Sequence, residues 1–159
     1  MVISDTHGDI TRALELYRQY DKALSFDALI HCGDYEKDAA RLEPHVGCLV
    51  ISVPGNCDGC HSRSFKLLDT PGGRILVTHG YAERVKESFT GLYYLALEND
   101  CSAVLFGHSH IPVVEKMGDI TLVNPGSLTD PRGAMGEPTF AVLSSTVSGI
   151  KASVIKYYR

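Results

Sequence analysis

The stretch Ala103-Val104-Leu105-Phe106-Gly107-His108-Ser109-His110 sets two imidazoles, two positions apart, directly behind an apolar run. A short continuous apolar run closed by glycine reads as a buried strand, so the histidines stand at its carboxyl end. Imidazole is a common metal ligand, and two rings do not complete a coordination shell. The remaining ligands must come from other parts of the chain.

Working outward, four further places fit. Val2-Ile3-Ser4 leads into Asp5-Thr6-His7, and Ala28-Leu29-Ile30-His31-Cys32 leads into Gly33-Asp34. Cys48 to Val53 leads into Pro54-Gly55-Asn56-Cys57-Asp58, and Arg74-Ile75-Leu76-Val77-Thr78 into His79-Gly80. Each is an apolar, β-branched run ending in a residue with a metal-binding side chain. One such motif alone is weak, because Gly-Asp and Gly-Asn are also turn signals and an isolated histidine usually hydrogen-bonds locally. Their joint occurrence at strand ends carries the reading.

Between these strands, Ile10, Ala13, Leu14, Tyr17 and Leu24 recur at helical spacing, which predicts an amphipathic helix over residues 10–24. Shorter helices are expected at 36–42 and 88–99, the latter with Leu92, Leu95 and Ala96 inward. Thr70-Pro71-Gly72-Gly73 joins strands 65–69 and 74–78 as a hairpin, and Gly118-Asp119 joins 113–116 and 121–123. Asn124-Pro125-Gly126-Ser127 breaks the chain before a loop to Pro138, and strands 140–143 and 150–157 follow around Ser148-Gly149. Helices early and hairpins late indicate two facing β-sheets with helices outside.

The 159 residues suit one domain, taken as residues 1–159, with 44% hydrophobic and 21% charged residues as in folded chains. A net charge of −4, from 15 basic and 19 acidic residues, supplies no field for nucleic acid. No apolar run approaches the ~20 residues of a membrane span. The first residues already form a strand and ligand motif, so a cytoplasmic protein without a membrane partner is expected. Five cysteines, an odd number, argue against a disulfide framework, and Cys57-Asp58-Gly59-Cys60 lacks the second pair of a zinc ribbon.

Aspartate, histidine and asparagine donors suit manganese first, with iron, zinc, nickel or magnesium also admitted. Seven candidates (Asp5, His7, Asp34, Asn56, His79, His108, His110) exceed the needs of one ion and fit two divalent ions if one carboxylate bridges. Asp34, central in the series, is the natural bridge. Two ions roughly 3.5–4 Å apart can lower the pKa of a shared water and clamp phosphate oxygens.

Taken together, these five ordered motifs resemble those of the calcineurin-like metallophosphoesterase superfamily, and over most of the chain. The short length, the Gly-Asn-Cys-Asp form and Asn124-Pro125-Gly126-Ser127 resemble its small prokaryotic phosphodiesterase branch. The resemblance implies an α/β fold, a four-layer α/β/β/α sandwich of two mixed sheets with a dimetal site at the strand ends. It implies Asp5, His7, Asp34 and His110 on one metal, and Asp34, Asn56, His79 and His108 on the other. It further implies hydrolysis of a P–O bond by a metal-bridging hydroxide, with Asp34, Asn56 and His108 carrying catalysis. The expected substrate is a small phosphodiester or nucleotide-like molecule, contacted by Asn56 and, as a fork donor, by Arg132.

One departure from the superfamily is Cys57, where many members carry a histidine that protonates the leaving group. A thiol is the weaker acid, which implies a preference for diesters with good leaving groups or another acid, Asp58 or His61. His31 reads as a satisfied core histidine, His45 as a loop residue, and Cys32 and Cys48 as small buried hydrophobes. Tyr157 and Tyr158 read as core or interface residues, and a homo-oligomer through them or a strand edge is admitted. The alternative function is a non-catalytic protein-interaction scaffold of the retromer-subunit type, which would go with lost ligands. An amidohydrolase barrel is excluded, because that fold typically needs about 250 residues.

Overall fold

The computed structural model describes residues 1–134 and 136–158. Ten strands form two mixed sheets of five. In chain order the elements are β1 (Val2–Ile3), α1 (Thr11–Leu24), β2 (Ala28–His31), α2 (Glu36–Leu42), β3 (Leu49–Ser52), β4 (Phe65–Thr70) and β5 (Gly73–Thr78). There follow α3 (Thr90–Glu98), β6 (Cys101–Leu105), β7 (Val113–Met117), β8 (Ile120–Asn124), β9 (Thr139–Thr146) and β10 (Gly149–Lys156). One sheet has the order β10-β9-β1-β2-β3, the other β4-β5-β6-β8-β7.

Three apolar clusters hold the layers together, and strand alternation sorts residues among them. Ile3, Leu29 and Phe140 face α1, where Ala13, Leu16 and Tyr17 meet them. Their neighbours Val2, Ile30 and Ala141 point the other way, against Ile75, Val77, Ala103, Leu105 and Val123 of the second sheet. On that sheet's outer face Leu76, Val104 and Leu122 pack on Leu92, Leu95 and Ala96 of α3. The result is the expected helix, sheet, sheet, helix order. Each fully buried aliphatic contributes about 1.5–3 kcal/mol by leaving water.

Two details differ from the sequence reading. Leu24, expected inward, is half exposed, whereas Leu16 is fully buried. Helix α1 ends at Ser25, which takes a left-handed conformation (φ 49°) and donates its N–H to Asp21 O, so Leu24 lies in a last turn that has swung off the sheet. Short 3-10 turns at Glu43–His45 and Asn56–Asp58 also went unforeseen; the second places the Asn56 motif.

Topology then positions the ligand motifs. Strands β1, β2 and β3 pair in parallel, so Asp5, Asp34 and Asn56 emerge at one edge of the first sheet. Strands β5, β6 and β8 are parallel in the second, so His79, His108 and His110 emerge at its corresponding edge. Strand β1 has only two residues, but it is flanked by β2 and β9, and both its side chains are buried. Among the described residues, no helix is long and apolar enough to cross a membrane.

Candidate metal centre

Two groups of side chains converge where the strand ends of the sheets meet. Asp5, His7, Asp34 and His110 each offer a ligand atom, and these atoms all lie within 4.8 Å of one another. Asp34, His79 and His108 form a second such group, sharing Asp34 with the first. Asn56 joins the second group, its Oδ1 standing 3.1 Å from His79 Nε2. All seven residues singled out in the sequence therefore lie in one place. Arg132 stands apart, on the far side of His110: its guanidinium donates to Asp130 Oδ2 at 2.8 Å and is half exposed.

The loops that carry these residues bend unusually. Asp5, His7, Asp34, His108 and His110 all have positive φ, between 48° and 65°. Non-glycine residues rarely adopt this region, and such strain concentrates at functional sites. Turning the chain left-handed just after each strand swings the side chain across the sheet edge toward the opposing sheet. His108 and His110 thus reach different groups although only one residue separates them.

The rings are held with defined tautomers. His79 Nδ1 donates to Cys32 O at 2.8 Å, and His110 Nδ1 to Asp130 O at 2.7 Å. A carbonyl only accepts, so both rings carry hydrogen on Nδ1 and turn Nε2 into the centre. There His110 Nε2 lies 3.3 Å from His7 Nε2 and 3.2 Å from Asp5 Oδ1, while His79 Nε2 lies 3.3 Å from Asp34 Oδ1. Asp5 Oδ1 is buried and has no hydrogen-bond donor among the described residues. A buried carboxylate oxygen without a donor, surrounded by inward-facing lone pairs, is an arrangement that divalent cations satisfy. The donor set is oxygen and nitrogen only, so hard and borderline ions fit.

Electrostatics agree with a cation site. Burial alone would raise Asp5, but the neighbouring His110 and His79 rings hold it below the usual carboxylate range. Asp34 is likewise held down against burial, by His79 and by the Cys57 N–H that donates to its Oδ1 at 2.8 Å. Burial, then neighbouring His79 and Lys86, push His108 down to about 4. Burial and neighbouring Asp34 push the Cys57 thiol up to about 11, keeping it protonated. Asp58 is committed elsewhere: its carboxylate accepts the N–H of Gly55 and of Glu36, both at 2.9 Å.

The satisfied core histidine expected at His31 is part of a support whose other members the sequence did not signal. His31, Thr6 and Asp38 form a directed chain below the Asp5 loop. His31 Nδ1 accepts the Gly33 N–H at 3.2 Å, so its Nε2 carries hydrogen toward Thr6 Oγ1 at 2.9 Å. Thr6 in turn donates to Asp38 Oδ2 at 2.7 Å, which also accepts the Gly8 N–H at 2.8 Å. Asp38 sits in α2 among Glu36, Lys37 and Arg41, where it reads as surface; it is buried nonetheless. Asn124 and Ser127, read as a chain break and as part of the motif shared with the phosphodiesterase branch, are braces. Asn124 Nδ2 donates to Gly107 O at 2.8 Å, and Ser127 Oγ to Asp5 O at 2.9 Å.

The directed chain requires neutral His31, and burial lowers its pKa to about 4. In the unfolded chain the imidazole takes up a proton below about 6.5. Stability from this group is therefore complete above pH 6.5 and is lost as pH falls toward 4, by about 3 kcal/mol. Urea unfolding of metal-free protein between pH 4 and 7 should show this slope together with that of His108, whose pKa is lowered alike, and His31→Gln should reduce it by the His31 share. An equal slope in the variant would assign the effect to other groups.

The family model described as the calcineurin-like phosphoesterase superfamily domain matches residues 1–147. The chain belongs to that superfamily. It is 35% identical over 147 residues to the probable metallophosphoesterase YsnB of Bacillus subtilis, covering 91% of this chain and 82% of that one. It is 29% identical over 177 residues to the phosphodiesterase YfcE of Escherichia coli, covering 96% and 90%. The fold is also that of a solved Vps29 variant from Entamoeba histolytica, with a TM-score of 0.76 at 17% identity, covering 99% and 98%. Membership of the superfamily implies divalent metal ions, and the two side-chain groups sharing Asp34 fit them.

Proposed function

We propose that residues 1–159 form one cytoplasmic, dinuclear metallophosphoesterase domain that hydrolyses phosphodiesters. The observation that carries the reading is the pair of ligand groups joined at Asp34, each with its donors turned inward. Asp5, His7, Asp34 and His110 would hold one ion; Asp34, Asn56, His79 and His108 would hold the other. Manganese is the first choice for such oxygen and nitrogen donors. When bound, the ions supply Lewis-acid polarisation of the phosphoryl oxygens and a water of lowered pKa.

The chain's own residues do the positioning. Asp34 lies between the groups, and the Cys57 N–H and His79 fix its Oδ1 on the centre. Asn56, at the start of its 3-10 turn, turns Oδ1 to His79, and its Nδ2, which donates to Cys57 Sγ at 3.6 Å, can exchange that weak acceptor for a phosphoryl oxygen. Arg132 is a lesser substrate contact, since Asp130 already engages it. At the expected leaving-group position the Cys57 thiol stays protonated to about pH 11 and is a poor proton donor at neutral pH, and Asp58 is held by the backbone N–H groups of Gly55 and Glu36. Diesters with acidic leaving groups are therefore favoured. The relative named a phosphodiesterase supports the substrate class. The scaffold alternative has the fold in its favour but not the complete ligand set.

Metal-stripped protein should be inert toward bis(p-nitrophenyl) phosphate and recover on addition of manganese, saturating at two ions per chain. Rates across a series of aryl methyl phosphates should fall as leaving-group pKa rises. Hydrolysis without metal, or saturation at one ion, would defeat the dinuclear reading.

A further inference from the structure

From the His79 group a row of rings runs outward to the protein surface. His79 and His108 have centroids 5.1 Å apart, and Tyr81 stands edge-on to His108 at 5.2 Å and 84°. His61 continues the row, 5.6 Å from Tyr81. Beside it opens a hollow of about 440 Å³ lined by His61, Tyr81, Arg84, Lys86, Glu87 and His108. That volume falls within the ~300–1,000 Å³ of small-molecule sites.

Charge divides the two flanks of the centre. In this hollow Arg84 is paired with Glu87 at 2.9 Å, while Lys86 has no carboxylate partner among the described residues. Lys86 is exposed and lines the same hollow as His108. On the other flank Tyr35 stands edge-on to His7 at 5.3 Å, and beyond it a hollow of about 670 Å³ is lined by Glu36, Glu43 and Asp58 against Lys37 alone. In a chain of net charge −4, the His108 side thus offers an unpaired cation and the Tyr35 side an acidic wall. A diester laid across the centre meets opposite charges at its two arms, which is how interfaces set orientation and reject alternatives.

We propose, resting on the phosphodiesterase reading above, that the hollow beside His108 takes a nucleotide arm of the substrate that carries a second phosphate. Its base lies against Tyr81 and His61, and its second phosphate meets Lys86. Flat rings stack on aromatic side chains with little regard to base identity, and a lysine ammonium serves phosphate as a point charge.

The test compares p-nitrophenyl thymidine 5′-phosphate with its 3′-phosphorylated counterpart on the manganese-loaded protein. The second phosphate should raise kcat/KM about tenfold, the scale of one hydrogen bond to a charged group. Lys86→Ala should remove that preference. Tyr81→Leu should lower both nucleosidic esters about tenfold against methyl p-nitrophenyl phosphate, the scale of one base stacked on an aromatic ring. A wild-type ratio of one, or a preference that survives Lys86→Ala, overturns the proposal. Calorimetry with thymidine 3′,5′-bisphosphate and thymidine 5′-phosphate asks the same question without turnover. If no ester is cleaved, the phosphodiesterase reading fails, and equal affinities for these two ligands, or a difference kept in Lys86→Ala, would sink the subsite as well.

Discussion

Asp34→Asn should abolish binding of both ions and cut turnover of an aryl phosphodiester by at least about 10²–10³, the scale of losing one preorganised group that stabilises developing charge. The carboxylate belongs to both ligand groups, whereas every other member belongs to one. An amide keeps the shape and can still accept the Cys57 N–H at Oδ1, but it carries no charge to set against two cations. Metal analysis of the purified variant, beside its activity and thermal unfolding, separates the cases. A variant that holds two ions and keeps a tenth or more of the activity would remove Asp34 from the bridging position. His7→Ala offers a contrast, since His7 serves only the first group and should leave one ion bound.

Gly55→Ala should be nearly as damaging through space alone. Gly55 has φ −111° and ψ −176°, extended backbone that any residue adopts, so no conformational penalty attaches to alanine there. A β-carbon would nevertheless lie 2.2 Å from Asp34 Oδ1 and 2.4 Å from Asp34 N. Either the Asn56 turn or the Asp34 loop must shift. The expected cost is about 1–3 kcal/mol of stability, as for overpacking in a tight interior. Metal affinity should fall about 10–100-fold, as when a group supporting the ligands is displaced. Gly59, four residues on, is the reverse case: its φ is +81°, but nothing lies within 4 Å of a β-carbon. Gly59→Ala should strain its own turn and leave metal affinity in place. Equal losses in the two variants would show that loop conformation, not the contact with Asp34, sets the affinity.

Much of this was legible in the sequence because its signals are local. Apolar runs such as Ala103 to Phe106 and Ala28 to Cys32 have no other stable reading than buried strands, and a polar ligand type at each end is visible by eye. Layer order followed from helices preceding hairpins. What escaped depended on packing across distance. Asp38 has the neighbours of a surface helix, and only the left-handed Tyr35 before it turns α2 so that its carboxylate meets Thr6 and Gly8. Asp130, whose carbonyl orients His110, lies in a loop with no pattern at all. Leu14 and Leu24 belong to the helical pattern read in α1 and Leu16 does not, yet Leu16 alone of the three is buried, because the sheet's position selects the face. The left-handed bend at each ligand is likewise unsignalled, since Asp and His mark it in place of glycine.

The centre draws Asp5, Asp34 and Asn56 from one sheet and His79, His108 and His110 from the other; below it the sheets meet through apolar contacts such as Val2 and Ala141 against Val77 and Ala103, and Thr70 and Ser145 are hydrogen-bonded across them at 2.6 Å. Bound ions would therefore add a further polar tie between the two sheets, at the edge where the ligands meet. Metal affinity becomes a gauge of how those sheets are aligned. A methyl added at Ala103, deep between them and touching no ligand, would be read out at the centre as a change in its grip.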